Sequence, residues 1–222
     1  MGYTADKNKH LEPGKSSMST AKLAYHHGDL RTALIDSALE IIGEIGPQGL
    51  TIREVARRAG VSHAAPYRHF DDKDDLILAV VEKGFELLQD TMEEARKNAG
   101  EDPLEQFAAS GESYFLFALE YPTYYRVMFS GDLLNSTGHE SLRHTSTHFF
   151  QQMINDIKSC QEMGIVREGD PLLQAISIVS TVHGYVSLAN DNRIDHLVGG
   201  EYTGREIQDF VMSAIFEGLG AR

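Results

Sequence analysis

The 222-residue chain has room for one large domain or two small ones, and its 41% hydrophobic content suits a globular protein with a sizeable core. One cysteine, Cys160, excludes an internal disulfide framework. No unbroken apolar run approaches the roughly 18–20 residues of a membrane helix, and the polar start lacks a signal peptide's apolar middle, so a soluble cytoplasmic protein is expected.

The net charge of −13 argues against a nucleic-acid partner for the chain as a whole, because phosphate neutralisation drives such binding. The distribution is uneven. Residues 21–70 hold six Lys/Arg against five Asp/Glu, whereas residues 71–222 hold eleven against twenty-six. The first stretch also carries His26, His27, His63 and His69. It is the part of the chain compatible with a polyanion.

Residues 1–24 are rich in Lys, Ser, Gly and Asn without periodicity and read as a flexible tail. Asp29 can cap a first helix, in which Leu30, Ala33, Leu34, Ala38, Ile41, Ile42 and Ile45 form an apolar stripe, ended by Gly46-Pro47. Thr51 and Glu54 have capping-box spacing for a second helix, and Gly60 suits the residue after its end. Ser62 or His63 opens a short third helix. Asp71 or Asp72 then caps a long one over about 73–98. Further helices are predicted at about 103–120, 122–130, 138–163, 170–190 and 203–219, with Pro103 and Pro171 as first-turn prolines and Thr203/Glu206 as a capping box. No alternating run bounded by hairpin turns occurs. The chain is read as all-α, with a joint near residues 70–75 between a three-helix head and a helical body.

The segment 60–70, "GVSHAAPYRHF", has almost no apolar stripe, so it is not an ordinary packing helix. With the preceding helix it has helix–turn–helix spacing, in which the second helix enters the major groove. Val55, Ala56, Ala59, Val61 and Phe70 suffice for packing. Ser62, His63, Ala64, Ala65, Arg68 and His69 are left over, with Tyr67 on the outward part of the same helix. Small residues let a helix sink into a groove, and hydroxyl, imidazole and guanidinium groups reach phosphates or base edges. Thr51 and Arg53 at the start of the second helix are candidate phosphate contacts, with Arg57 and Arg58 nearby. Pro66 is tolerable only in the first turn. The alternative is that 60–70 is merely a connecting turn.

The run "LTIREVARRAGVSHAAPYRHFDDKDDLILAVVEKG" resembles the DNA-binding head of the tetracycline-repressor (TetR) family. The matching positions are Thr51, Ala56, Ala59, Gly60, Val61, Ser62, Tyr67, His69, Phe70 and Lys73, and the likeness extends over about 28–88. "YHHGDLRTALI", "YRVMFSGDL" and "TVHGYVSLA" are similar to a subgroup with a Trp-His-Gly signature, although this chain has Val182-His183-Gly184. The resemblance implies a helix–turn–helix domain at 28–88 (motif 51–70), which adds Lys73 to the DNA-contacting set. It also implies an effector-binding and dimerisation domain at 89–222. The function implied is that of a homodimeric DNA-binding regulator, a repressor released from a palindromic operator by a small molecule.

In the body, the helix at 170–190 has no charged residue between Asp170 and Asp191 apart from the ionisable His183, so it must be covered on several sides. With the helix at 203–219 it is the candidate dimer surface. Aromatic residues crowd 114–129. Phe117, Tyr121, Tyr125 and Met128, with Phe149 and His183, are candidate ligand contacts, although core packing is the simpler reading of any one of them. His144 and His148 have i, i+4 metal-ligand spacing with His139 nearby, which leaves a metal-dependent enzyme or metal sensor as the competing function. A DNA-binding dimer without an effector pocket is the third reading. No cofactor is expected.

Overall fold

The computed structural model describes residues 30–130 and 140–220, except for the side chains of 140–146, 148 and 195. From Arg31 onward the chain clusters as one unit. The described residues are helical, apart from connecting turns and a single bridge between Val166 and Gly220.

Helix α1 (Leu30–Gly49) buries Leu34, Ile35, Ala38, Ile41 and Ile42, four of which belong to the expected stripe, while Ile45 is exposed. Gly46 breaks it at φ 76°, a left-handed conformation that glycine adopts without steric cost, and Pro47 starts a further short turn. The proposed cap Asp29 lies outside the described residues.

In α2 (Ile52–Arg58) the Thr51 hydroxyl accepts the Glu54 N–H at 3.2 Å. The expected reciprocal half of the capping box is absent, because the Glu54 carboxylate is taken by Arg57 at 2.6 and 2.8 Å. The helix ends in a Schellman motif: Gly60 at φ 70° donates to the Arg57 carbonyl, and Val61 donates to that of Ala56.

The third α-helix expected over 62–70 does not form. A 3-10 turn, Pro66–Arg68, stands in its place. Pro66 has no N–H to donate back along the chain, and the bonds that remain are mostly three-residue ones: Ala65 N–H to Ser62, Arg68 N–H to Ala65 and His69 N–H to Pro66. Pro66 is itself buried, so its ring anchors the turn.

Helix α3 (Lys73–Asn98) has the expected bounds, capped by the Asp72 side chain on the Asp75 N–H. It packs mainly against α4 (Pro103–Glu120), then α5 (Pro122–Met128) and α6 (Glu140–Glu162). The Arg96–Asp156 ion pair ties its far end to α6. Next come α7 (Pro171–Asn190), a short α8 (Arg193–Val198) and α9 (Gly204–Leu219), whose Thr203/Glu206 capping box is complete. Helix α8 was not expected. At six residues it is too short for any periodic stripe.

Candidate DNA-binding head and ligand cleft

In the head, Ser62, His63, Ala64, Tyr67, Arg68 and His69 are all exposed, as are Thr51 and Arg53, and Ala65 is half-buried. Tyr67 is 58% exposed, well above what a core aromatic shows. Beneath this face Phe70 is buried with Arg31 over its ring at 5.5 Å, and Val55 and Ala56 are fully buried. The 3-10 turn therefore has one packed side and one bare side.

The basic residues divide into two groups. Arg58 bonds Glu44 on α1 through both nitrogens at 2.6 and 2.8 Å, and Arg57 is held by Glu54. These hydrogen bonds hold the Glu44 and Glu54 carboxyls below their usual range and raise both guanidiniums. Arg58 thus staples α2 to α1. The Lys73 ammonium donates to the Gln48 carbonyl at 3.0 Å, closing the head from below. Arg53 and Arg68 make no ion pair within the described residues. They are the cations free to meet phosphate.

In the body, a cleft of about 600 Å³ opens between α3, α5, α6 and α7. Phe85, Phe129, Phe150 and His183 supply rings to its lining and Met128 a thioether, and its described lining includes no charged side chain. Of the six residues expected to contact ligand, Met128 and His183 line this cleft. Tyr125 lies one shell behind, with its hydroxyl 2.9 Å from His183 Nδ1 and 3.1 Å from the Tyr114 hydroxyl. Phe149 stacks on Tyr114 at 5.5 Å. Phe117 is buried against Tyr121 at 5.2 Å, and neither lines the cleft.

Burial pushes the Tyr125 phenol up to about 12 and the Tyr114 phenol well above its usual value, so both stay protonated. A second, smaller cavity of about 30 Å³ lies among α3, α4, α6, α7 and α9.

Helix α5 joins the two sites. On one side Thr123 and Tyr124 meet α1: a Cβ on Gly43 would lie 3.2 Å from the Thr123 hydroxyl, and burial followed by the Asp36 charge raises the Tyr124 phenol. On the other side lie Met128 and, just past its end, Phe129, both in the cleft wall. Sequence reasoning missed this helix as a wedge, and it missed Tyr114 as a partner of His183. Tyr114 and Tyr125 are eleven residues apart and His183 another 58 on, with no local pattern linking them.

Among the described residues no three His, Cys, Asp or Glu side chains are placed to hold a metal ion. His139 and the side chains of His144 and His148 lie outside the described residues.

Residues 34–80 match the family of bacterial regulatory proteins of the tetR type, and residues 107–202 match the tetracyclin repressor-like C-terminal domain. The chain is 38% identical over 79 residues to the HTH-type transcriptional regulator BetI of Rhizobium meliloti, covering 36% of this chain and 38% of that protein. It is 44% identical over 52 residues to the class C tetracycline repressor of Escherichia coli, covering 23% and 24%. The matched region thus spans less than half the length of these curated relatives. A solved structure of a protein of unknown function from Rhodococcus sp. RHA1 superimposes with a TM-score of 0.76 at 29% identity, over 90% of this chain and all of the other. Matched in head and body alike, the chain belongs to the TetR family of bacterial regulatory proteins.

Proposed function

We propose that this protein is a homodimeric transcriptional regulator, a repressor that leaves a palindromic operator when a small molecule fills the cleft. The observation that carries this is α5, which touches head helix α1 with one side and the cleft with the other. A ligand that displaces Met128 or Phe129 acts on the element that positions the head. Only differential affinity for the two head arrangements is needed, and by linkage DNA then weakens ligand binding by the same factor.

In the head (28–88), Thr51, Arg53, Ser62, His63, Ala64, Ala65, Tyr67, Arg68 and His69 form the DNA face. Lys73, engaged with the Gln48 carbonyl, acts by holding the head together. In the body (89–222), Met128 and His183 contact the effector, Tyr125 supports His183, and Phe149, Phe117 and Tyr121 shape the surrounding core. The likeness to the Trp-His-Gly subgroup fits a structural first position, since Val182 is buried, and a functional second one in His183. The site of action is the cytoplasm, where the operator lies.

For the dimer, α7 and α9 carry the unmet apolar surface. Helix α7 is the one described helix long and apolar enough to cross a membrane, yet only 28% of its apolar window is buried. Leu173, Ile176 and Leu188 are exposed along it, and Phe210 on α9 is 74% exposed. Gly184 and Gly218 have nothing within 4 Å of a built Cβ. A mid-helix glycine costs about 1 kcal/mol, and nothing described in this protomer uses the space it leaves. A second copy packing α7 and α9 into a four-helix bundle would use both.

The test is a mobility-shift titration with the DNA flanking the protein's own coding region, searched for an inverted repeat. Specific binding by a dimer, relieved by a cleft-binding compound, supports the reading. Binding no tighter than to random DNA overturns it.

A further inference from the structure

We propose that the cleft selects a neutral, largely apolar molecule carrying one hydrogen-bond acceptor of the carbonyl type, received by the Nε2–H of His183. This rests on the cleft being the effector site, and it names what the effector must carry.

The argument starts from proton counting in the buried chain Tyr114–Tyr125–His183. The Tyr125 hydroxyl has two neighbours, the Tyr114 hydroxyl and His183 Nδ1. Tyr114 is buried, and among the described residues its hydroxyl bonds Tyr125 alone. Two neutral arrangements are available. In the first, Tyr114 donates to Tyr125, Tyr125 donates to Nδ1, and the imidazole proton sits on Nε2. In the second, Nδ1–H donates to Tyr125, Tyr125 donates to Tyr114, and the Tyr114 proton is left with no acceptor. A buried donor without a partner loses its hydration and gains nothing, so the first arrangement prevails. Burial keeps both phenols protonated, so neither can escape the count by ionising.

The imidazole is thereby fixed as a donor. His183 lines the cleft, and its Nε2 has no hydrogen-bond partner among the described residues. The other polar groups in the described lining, Thr147, Gln151 and Ser180, are neutral, and no Lys or Arg stands among the described lining residues to meet a carboxylate. An anion would lose its water without a counter-charge, and a cation would face an N–H. The Phe129 ring stands 5.5 Å from that of His183 and 6.0 Å from that of Phe85, which provides a wall for a flat apolar body.

The test uses four naphthalenes of similar size: naphthalene itself, 2-acetonaphthone, 2-naphthoate and 2-(aminomethyl)naphthalene. Calorimetric titration of the full chain is expected to rank 2-acetonaphthone about tenfold tighter than naphthalene, with both ions weaker still. His183→Phe is expected to erase the ketone's advantage over naphthalene. Imidazole nitrogen resonances should place the proton on Nε2 in the free protein, and Tyr125→Phe, which removes the donor to Nδ1, should loosen that tautomer. Naphthalene equal to the ketone, an ion binding best, or an advantage that survives His183→Phe would each overturn the proposal. Release of operator DNA by naphthalene as efficiently as by the ketone would overturn it too, while sparing the reading of the cleft as an effector site. Failure of all four to bind overturns both.

Discussion

Gly84 on α3 lies so close to Met128 on α5 that a Cβ at position 84 would stand 2.6 Å from the sulfur and 3.0 Å from Cγ, with the Tyr124 ring also at 3.0 Å. Met128 is buried and lines the cleft, and α3 begins three residues after Phe70 closes the head. The contact therefore couples the cleft wall to the helix that leads into the DNA-binding segment. Gly84→Val forces Met128 toward the cleft or α3 away from α5. Operator affinity should fall severalfold without added ligand, with the dimer intact by sedimentation. Unchanged affinity would mean that the thioether yields locally and the contact transmits nothing.

The bare face of the 3-10 turn gives the second prediction. Tyr67→Ala and Arg68→Ala should each weaken operator binding by roughly 1–3 kcal/mol in a mobility-shift titration. The melting temperature should stay put, because both side chains are exposed. Arg57→Ala should cost less DNA affinity than Arg68→Ala, since Glu54 already holds Arg57. With few free cations in the head, binding should also fall steeply with salt. If Arg57→Ala proves the more damaging of the two, the division of head arginines is wrong.

Both predictions concern places where sequence reading reached different depths. Caps and first-turn prolines made α3, α4, α7 and α9 legible to within a residue or two: Asp72, Asp170 and Thr203 each accept an N–H of the first turn, and α4 starts at Pro103, where the structure adds an Asp102 cap. The third helix of the head was misread because the residue types suggested a helical reading face, while one missing N–H at Pro66 changed the hydrogen-bond pattern. The cleft was half legible. An aromatic cluster is visible in the sequence, but which rings face a void depends on how four helices meet. Phe117 and Met128 look alike in the sequence, yet only Met128 reaches the cleft.

The proposed dimer face is tested at Gly184, where the protomer leaves open space. Gly184→Ala should raise the stability of the protomer by up to about 1 kcal/mol through helix propensity, and should leave the dimer assembled. Gly184→Arg should give monomers in sedimentation velocity with unchanged helical circular dichroism, because its side chain meets the second copy and nothing else. A Gly184→Arg protein that remains fully dimeric places the interface elsewhere.

The buried phenols predict a loss of stability in alkali whose sign can be worked out. An unfolded tyrosine ionises near pH 10, whereas burial pushes Tyr125 to about 12 and Tyr114 well above its usual value. Between those values the unfolded chain has lost these protons and the folded chain has kept them. Unfolding then releases protons, and stability falls as pH rises. The contribution is fully present below about pH 10 and is lost by about pH 12 for Tyr125. Denaturant titrations from pH 9 upward should follow that fall, and the 295 nm tyrosinate absorbance should show late-titrating phenols among the nine tyrosines. Tyr125→Phe should flatten the alkaline slope, because a phenyl ring has no proton to lose. An equally steep slope in Tyr125→Phe and Tyr114→Phe would mean that the hydroxyl chain behind His183 is open to solvent, and the fixed imidazole tautomer would lose its basis.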